Sequence, residues 1–583
     1  MGLSCDLVFP LPPQGDDISG NKRSRLEIFR ETLENLPFGD MERAAQELFN
    51  VLYKTNRMVL SQDERLSLLQ LLEEPSFHVL AGLQGKIKDL AAPISRKEER
   101  IAKVLVGAHF ELALSYRCLL EKPPVKGVLR TPCRETMANY LRFSIYHLGE
   151  VLRTKYNAMN NPGGAVWKYV YTLFVCAYEQ DIHTISLPSL PWCRYVSVED
   201  VFKSVVLLAM SSPLTMRGSD FNALYELAPE LTPYIELGKI KCGESYEKLS
   251  TFNLSQTEPP KQQIMSGCVS CGNASNCFAL STKPLLSLFN EQLELAKTNS
   301  KPTPIQRFLT QQYQLDNLLR NLGGLEKTER SERIDGAGLS VELVAGFGAA
   351  HASLRSDESQ NSVSVDDGLV LEGEDEWASD ITLSGTDSWT NTGILGPEQR
   401  RVNCKVINHS SGGYCLSIDA KKKFRLWVGE LSLVRASNRE PWRPAAISWV
   451  SSGKDRIDFG IKLIAEKAEA GSLMPNNYNS VDAVTDCLIL SGSDNKSSEY
   501  RVVTASPDFD QGDTFLLKLN GDESKLTVSR RESKTSGYTE YRCESQEVSQ
   551  QDTATTAAGG DQADYSKTGA DLEVDFDSLW SEL

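Results

Sequence analysis

Residues 400–419 read RRVNCKVINHSSGGYCLSID. A strand-like run ends in Asn-His-Ser-Ser-Gly-Gly, a second strand-like run follows, and two arginines stand just upstream. Gly-rich corners of this kind close many hairpins, so the stretch takes its meaning from what surrounds it. Downstream, PAAISWVSS and FGIKLIA read as further strands, as does FRLWVGELSLVRA before them, with turn residues at the spacing of about 8–12 positions typical of a small barrel. A second strand-rich run then comprises DCLILSG, YRVVTAS, DTFLLKL, SKLTVSRRES and GYTEYRCES. Upstream, VELVAGFGAAHASL (341–354) has the look of a short glycine-interrupted strand.

The first part of the chain has a different period. Ser61–Glu64 and Ser95–Glu98 each fit a capping box, and Thr131-Pro132 offers a cap followed by a first-turn proline. Apolar residues recur at helical spacing: Ala45, Leu48, Phe49, Leu52; Leu68, Leu69, Leu72; Ile101, Leu105, Ala108, Leu112. No self-similar repeat accompanies them, so a non-repeating bundle is the simpler reading. WKYVYTLFVCAY, from Trp167, is the most apolar helix candidate, and its length suits a buried core helix. No apolar run reaches the ~18 residues of a membrane span, and membrane insertion is not expected.

The expected fold is therefore multidomain α + β. Residues 1–21 form a flexible N-terminus, 22–240 an all-α domain and 241–325 a mixed connecting region with a helix. Residues 326–470 form a β-barrel with an acidic insertion at 356–399, 471–543 a second small β-rich module, and 544–583 an acidic tail. The tail ends in DLEVDFDSLWSEL (571–583), apolar residues set among acids, a pattern suited to docking on a protein partner.

The net charge of −16 is unevenly spread. Residues 356–399 hold eleven acids and no Lys or Arg, and 544–583 hold ten acids against Lys567 alone. Without these two segments the chain carries +4, which admits an anionic small ligand and offers no concentrated basic face for long nucleic acid. Thirteen cysteines without a secretory leader point to reduced thiols in the cytoplasm. Cys268 and Cys271 have C-x-x-C spacing with Cys277 nearby, but a second close ligand pair is missing, so loop cysteines are expected and no metal. No P-loop, nucleophile elbow or metal-binding His pair is visible, which argues against an enzyme.

Asn408-His-Ser410-Ser-Gly-Gly413 fits the [D/N]-x-S-x-x-G signature of PilZ domains, and the strands around it, with Trp449 ahead of the last one, resemble that family's six-stranded antiparallel barrel. The resemblance implies a bacterial receptor for cyclic di-GMP, with no further cofactor. The ligand's phosphates and guanine edges suit paired guanidinium donors and short polar groups. PilZ domains carry R-x-x-x-R ahead of the first barrel strand; here EKTERSERIDG gives Arg330 and Arg333, one residue closer. The expected ligand-binding set is Arg330, Arg333, Asn408, Ser410 and Gly413, with Arg400 and Arg401 as second candidates; the glycines permit φ > 0 and close backbone approach. The helical domain, barrel and second module together are similar in arrangement to larger PilZ-containing receptors associated with type IV pili and surface attachment. That likeness implies signal relay through protein contacts; the alternative is a PilZ adaptor that binds no nucleotide.

Overall fold

The computed structural model describes residues 9–15, 22–121, 125–126, 131–239, 245–246, 250–253, 267–268, 277–297, 301–311, 315–323, 332–362, 400–422, 424–437, 440–475, 484–491, 499–505 and 509–546. Eight helices build the N-terminal domain: α1 (Lys22–Glu34), α2 (Met41–Arg57), α3 (Gln62–Gly85), α4 (Arg96–Leu120), α5 (Arg134–Asn157), α6 (Gly164–Glu179), α7 (Val198–Met210) and α8 (Gly218–Leu231). Both capping boxes form. Ser61 Oγ accepts from the Glu64 amide at 3.3 Å while Ser61 N–H donates to the Glu64 carboxylate at 2.9 Å. Ser95 and Glu98 repeat the exchange at 3.2 and 2.7 Å.

Thr131-Pro132 does not cap a helix. It is a short strand, β2 (Thr131–Pro132), paired with β1 (Val125–Lys126), and α5 starts after Cys133 with no side-chain cap. Helices α4 and α5 pack on each other at the centre, with α2 against α4 and both α6 and α7 against α5, a bundle and not a stack of neighbours. Trp167 and Phe174 of α6 are fully buried, the latter stacked on Phe202 of α7 at 3.9 Å. Buried Glu111 is satisfied by Asn56 Nδ2 at 2.8 Å and Arg57 Nη1 at 3.0 Å.

The connecting region holds β3 (Glu236–Lys239), β4 (Ser245–Tyr246), β5 (Ser250–Asn253), β6 (Gly267–Cys268) and β7 (Cys277–Ser281), followed by α9 (Lys283–Ala296), α10 (Pro304–Gln311) and α11 (Leu315–Gly323). Strands β3, β7 and β5 form a small antiparallel sheet in that order, and β4 pairs with β6.

The first barrel follows. Its strands are β8 (Ile334–Asp335), β9 (Ser340–Ala345), β10 (Arg401–Ser410), β11 (Gly413–Asp419), β12 (Leu431–Arg435), β13 (Arg443–Ser452) and β14 (Arg456–Leu463). The antiparallel pairings β9–β10–β11–β14–β13–β12–β9 close a ring of six, and β8 adds to β10 at its margin. Val402, Cys404, Val406, Leu416, Ile447 and Phe459 fill the ring. The stretch expected as one strand over 341–354 divides at Gly346, whose φ of 95° turns the chain out of β9 into α12 (Phe347–Ser362). The acidic segment that begins at Ser356 therefore starts inside a helix.

The second β module is also a closed barrel. Its strands are β15 (Lys467–Pro475), β16 (Thr485–Ser491), β17 (Glu499–Thr504), β18 (Thr514–Leu519), β19 (Asp522–Lys534) and β20 (Thr539–Gln546), ringed as β15-β16-β17-β20-β19-β18. Numbered from its own first strand, each ring runs 1-2-3-6-5-4. Partners change between Leu463 and Lys467, ahead of the expected boundary after residue 470. Helix α12 is wedged between the rings, where Phe347, Ala350 and Leu354 share one core with Leu431 and Leu433 of the first and Leu488 and Leu490 of the second. The helical domain meets the first barrel through an Ala92–Leu426 bridge and through Ser452 N–H donating to the Met159 carbonyl at 2.8 Å.

Candidate ligand-binding site

The β10–β11 hairpin turns within two residues, because Ser410 pairs with Gly413 and only Ser411 and Gly412 lie between. Neither Gly412 nor Gly413 has a left-handed φ. Of the two freedoms a glycine brings here, Gly413 uses close backbone approach: a Cβ there would overlap the Ile461 carbonyl oxygen of β14.

Leu416 and Ile418 point into the ring, so by alternation Gly413, Cys415 and Ser417 face outward. Asn408 pairs with Cys415 and Ser410 with Gly413, which turns both polar side chains to the same outer face. A bulge at Ile407 makes this possible. Without that extra residue Asn408 would fall in line with Val406, inside the barrel.

Strand β8 extends the face. Asp335 pairs with Asn408 and Ile334 with His409, so continuation of the ladder brings Arg333 alongside Ser410. The Arg333 guanidinium is exposed. It lies near enough to Cys415 to oppose the upward push on that thiol, which comes from burial and then from the Asp458 carboxylate. Among the described residues no ion pair engages Arg333.

Further round the ring, Gly460 pairs with Cys415 on one side and Trp449 on the other. The indole lies directly over Gly460, where any Cβ would collide with it. Asp458, one outward step along β14, takes Arg456 Nε on Oδ2 at 3.1 Å, while its Oδ1 is buried without a hydrogen-bond partner. One outer face thus offers a guanidinium fork, short hydrogen-bonding groups, an indole surface and, beneath it, a carboxylate oxygen without a partner among the described residues. Together these suit a planar, anionic ligand that also carries N–H donors. Cys415, Asp458 and Gly460 were not among the expected residues; strand alternation counted outward from Asn408 is the signal that finds them.

The other arginines lie elsewhere. Arg330 is outside the described residues. Arg400 and Arg401 stand at the opposite end of β10, ~23 Å from Asn408 at strand rise. Arg400 Nη1 meets Glu430 at 3.2 Å, and Arg401 meets Glu342 at 3.4 Å with Trp442 beneath it. Burial pushes the Glu430 carboxyl up to about 7, against the pull of Arg400 and of the Trp427 N–H. No group of three or more His, Cys, Asp or Glu among the described residues is arranged to hold a metal. Cys271 lies outside the described residues, and only the backbone is described at Cys268 and Cys277.

Comparison with known proteins completes this picture. Residues 374–470 match the model described as "Cyclic-di-GMP receptor FimW, middle PilZ domain", and residues 27–241 match "Cyclic-di-GMP receptor FimW, N-terminal domain". The chain is a FimW-like PilZ-domain protein. The cyclic-di-GMP receptor FimW of Pseudomonas aeruginosa is 22% identical over 94% of this chain and 95% of its own. In this FimW-like chain the PilZ match takes in β10–β14, while the strand that completes the ring, β9, precedes it. The N-terminal match coincides with α1–α8. Among the described residues no helix is long and apolar enough to cross a membrane.

Proposed function

We propose that this protein is a non-catalytic cytoplasmic receptor that binds cyclic di-GMP on the outer face of its first barrel. The observation that carries the reading is the β8–β10 pairing, which brings Arg333 to the Asn408–Gly413 corner. Arg333 would meet a phosphate or the O6/N7 edge of a guanine through paired donors. Asn408 and Ser410 would supply hydrogen bonds, and Gly413 would keep the β11–β14 contact close beneath them. Trp449 offers a surface for a base, and Asp458 Oδ1 an acceptor for guanine N–H groups. Arg330 joins the set on the family resemblance. Arg400 and Arg401, committed to Glu430 and Glu342, are left out of it.

Relay would run through protein contacts toward surface-attachment or pilus machinery, with residues 571–583 as a docking peptide; that segment lies outside the described residues. Calorimetric titration of the full chain with cyclic di-GMP tests the ligand. Binding that weakens in Arg333→Ala and Ser410→Ala, with melting temperatures held, is the expected result. Absence of heat and of any melting shift at saturating nucleotide would overturn it in favour of an adaptor that works by protein contacts alone.

A further inference from the structure

One cavity among the described residues lies well away from the barrel corner. It is a cleft of about 380 Å³ in the helical domain, walled by α3, α4, α5, the 191–195 segment and α8. That volume lies within the range of small-molecule sites, roughly 300–1,000 Å³. Two observations mark it as more than a packing gap.

The first is unpaired polarity. Ser76 and Gln84 lie on one face of α3, two helical turns apart, and both line the cleft. They are 3% and 7% exposed, yet among the described residues Ser76 Oγ and Gln84 Nε2 have no hydrogen-bond partner. The Gln84 carbonyl accepts from Thr154 Oγ1 at 3.4 Å, which fixes the amide with its NH₂ left over. A buried donor without a partner costs ~1–3 kcal/mol, so such a pair on one wall is a feature that a ligand would satisfy.

The second is a run of near-parallel rings. Tyr116 stacks on His147 at 5.8 Å and 15°, and His147 on Trp192 at 5.7 Å and 17°. The charges around the cleft cancel, Glu73, Glu150 and Glu226 against Lys88, Arg153 and Arg194. Glu150 pairs with Arg153 at 3.3 Å and Glu226 with Arg194 at 3.3 Å, while Tyr116 donates to Glu73 at 2.9 Å. His109 and His147 share an Nδ1···Nδ1 contact of 3.2 Å, in which one must donate and the other accept. Burial lowers both imidazoles, His109 to about 4, so the pair brings no cation at neutral pH.

We infer that the helical domain has its own binding site, separate from the barrel, for an uncharged planar aromatic molecule whose carbonyl accepts from Gln84 Nε2. A dianion such as a cyclic dinucleotide finds no net positive field there.

The test uses the full chain and three probes by calorimetry: 2-naphthamide, its charged analogue 2-naphthoate, and naphthalene, which lacks the acceptor. The inference expects naphthamide to bind more tightly than either. It further expects Gln84→Met, close in volume but without the donor, to weaken naphthamide roughly five- to tenfold while the melting temperature and any response to cyclic di-GMP stay unchanged. Failure of naphthamide to bind at its solubility limit, or equal binding by wild type and Gln84→Met, would overturn it. If Gln84→Met melts early, Ser76→Ala provides the second variant, with weakened naphthamide binding again expected and unchanged binding decisive against.

Discussion

The two barrels share a strand order, six antiparallel strands ringed 1-2-3-6-5-4, and differ in what their outer faces carry. In the first ring the corner between strands two and three is Asn408–Gly413, and Arg333 stands beside it without an ion pair among the described residues. In the second, the same connection reads Ser491-Gly-Ser-Asp-Asn-Lys-Ser-Ser-Glu499, which lacks the Asn-x-Ser-x-x-Gly pattern. Three of its four arginines are engaged by neighbours: Arg501 with Glu540 at 2.7 Å, Arg542 with Glu499 at 2.9 Å and Glu532 at 2.7 Å, and Arg530 with Glu532 at 2.8 Å; the fourth, Arg531, is exposed on β19, away from that connection. A guanidinium already matched to a carboxylate contributes to its own sheet; an unmatched one at a polar corner is available to an anion. Ring topology is thus common to both modules, and recognition belongs to the side chains placed on it.

The sharpest way to break this contrast is at the glycines. Gly413→Ala drives a Cβ into the Ile461 carbonyl, and a loss of at least ~3 kcal/mol in denaturant unfolding is expected as β11 separates from β14. At Gly471 of the second ring a Cβ would sit 3.2 Å from the nearest atoms, so Gly471→Ala should cost markedly less. Equal costs would show that the first corner is not specially tight.

Next in size is Arg333→Ala. Losing charge-assisted hydrogen bonds of ~1.5–3 kcal/mol should weaken cyclic di-GMP roughly 10- to 100-fold in titration, with unfolding unchanged. Arg501→Ala should do the reverse. It leaves the mostly buried Glu540 without its partner and the Ile464 carbonyl without a donor, for a stability loss of about 2 kcal/mol and no change in nucleotide binding.

The smallest effect is a pH dependence at the join of the rings. Glu430 has a folded pKa raised to about 7 from an ordinary value of 4.5, so between those values the folded state holds the proton more tightly than the unfolded one. Its contribution is present below about 4.5 and lost as pH rises toward 7. Wild type should therefore lose on the order of 1–2 kcal/mol more than Glu430→Gln between pH 5 and 7. Parallel stability curves for the two proteins would refute the shift.

Much of this architecture was legible before any coordinates. The capping boxes fixed the starts of α3 and α4 because their signal is local, four residues long and chemically reciprocal. The strands of both modules were readable as alternating segments, but closure of the second ring was not. It depends on β15 meeting β18 some forty residues later, and no local pattern encodes that. Gly346 and Gly348 made α12 look like an interrupted strand, whereas only the first of them marks a change of structure. At the proposed site, Arg333 and the Asn408 corner were named by the resemblance to the PilZ signature. Arg400 and Arg401 are close to Asn408 in number, yet a ten-residue strand holds them apart, since extended backbone converts each residue into more than 3 Å. Asp458 and Gly460 stayed hidden because they sit on β14, a neighbour of β11 in the ring but distant from it in sequence.

Helix α12, seated in a core common to both rings and tied by His351 to the Gly471 carbonyl at 3.1 Å, has a mechanical consequence. It gives the two rings a common core at their seam. A swing of one barrel against the other would have to break that core, so under the proposed function a signal from the corner leaves by another route. That route would be the surface at the corner, or Arg333 itself, which the two-residue strand β8 ties to the barrel on one side while the chain from the helices arrives on the other.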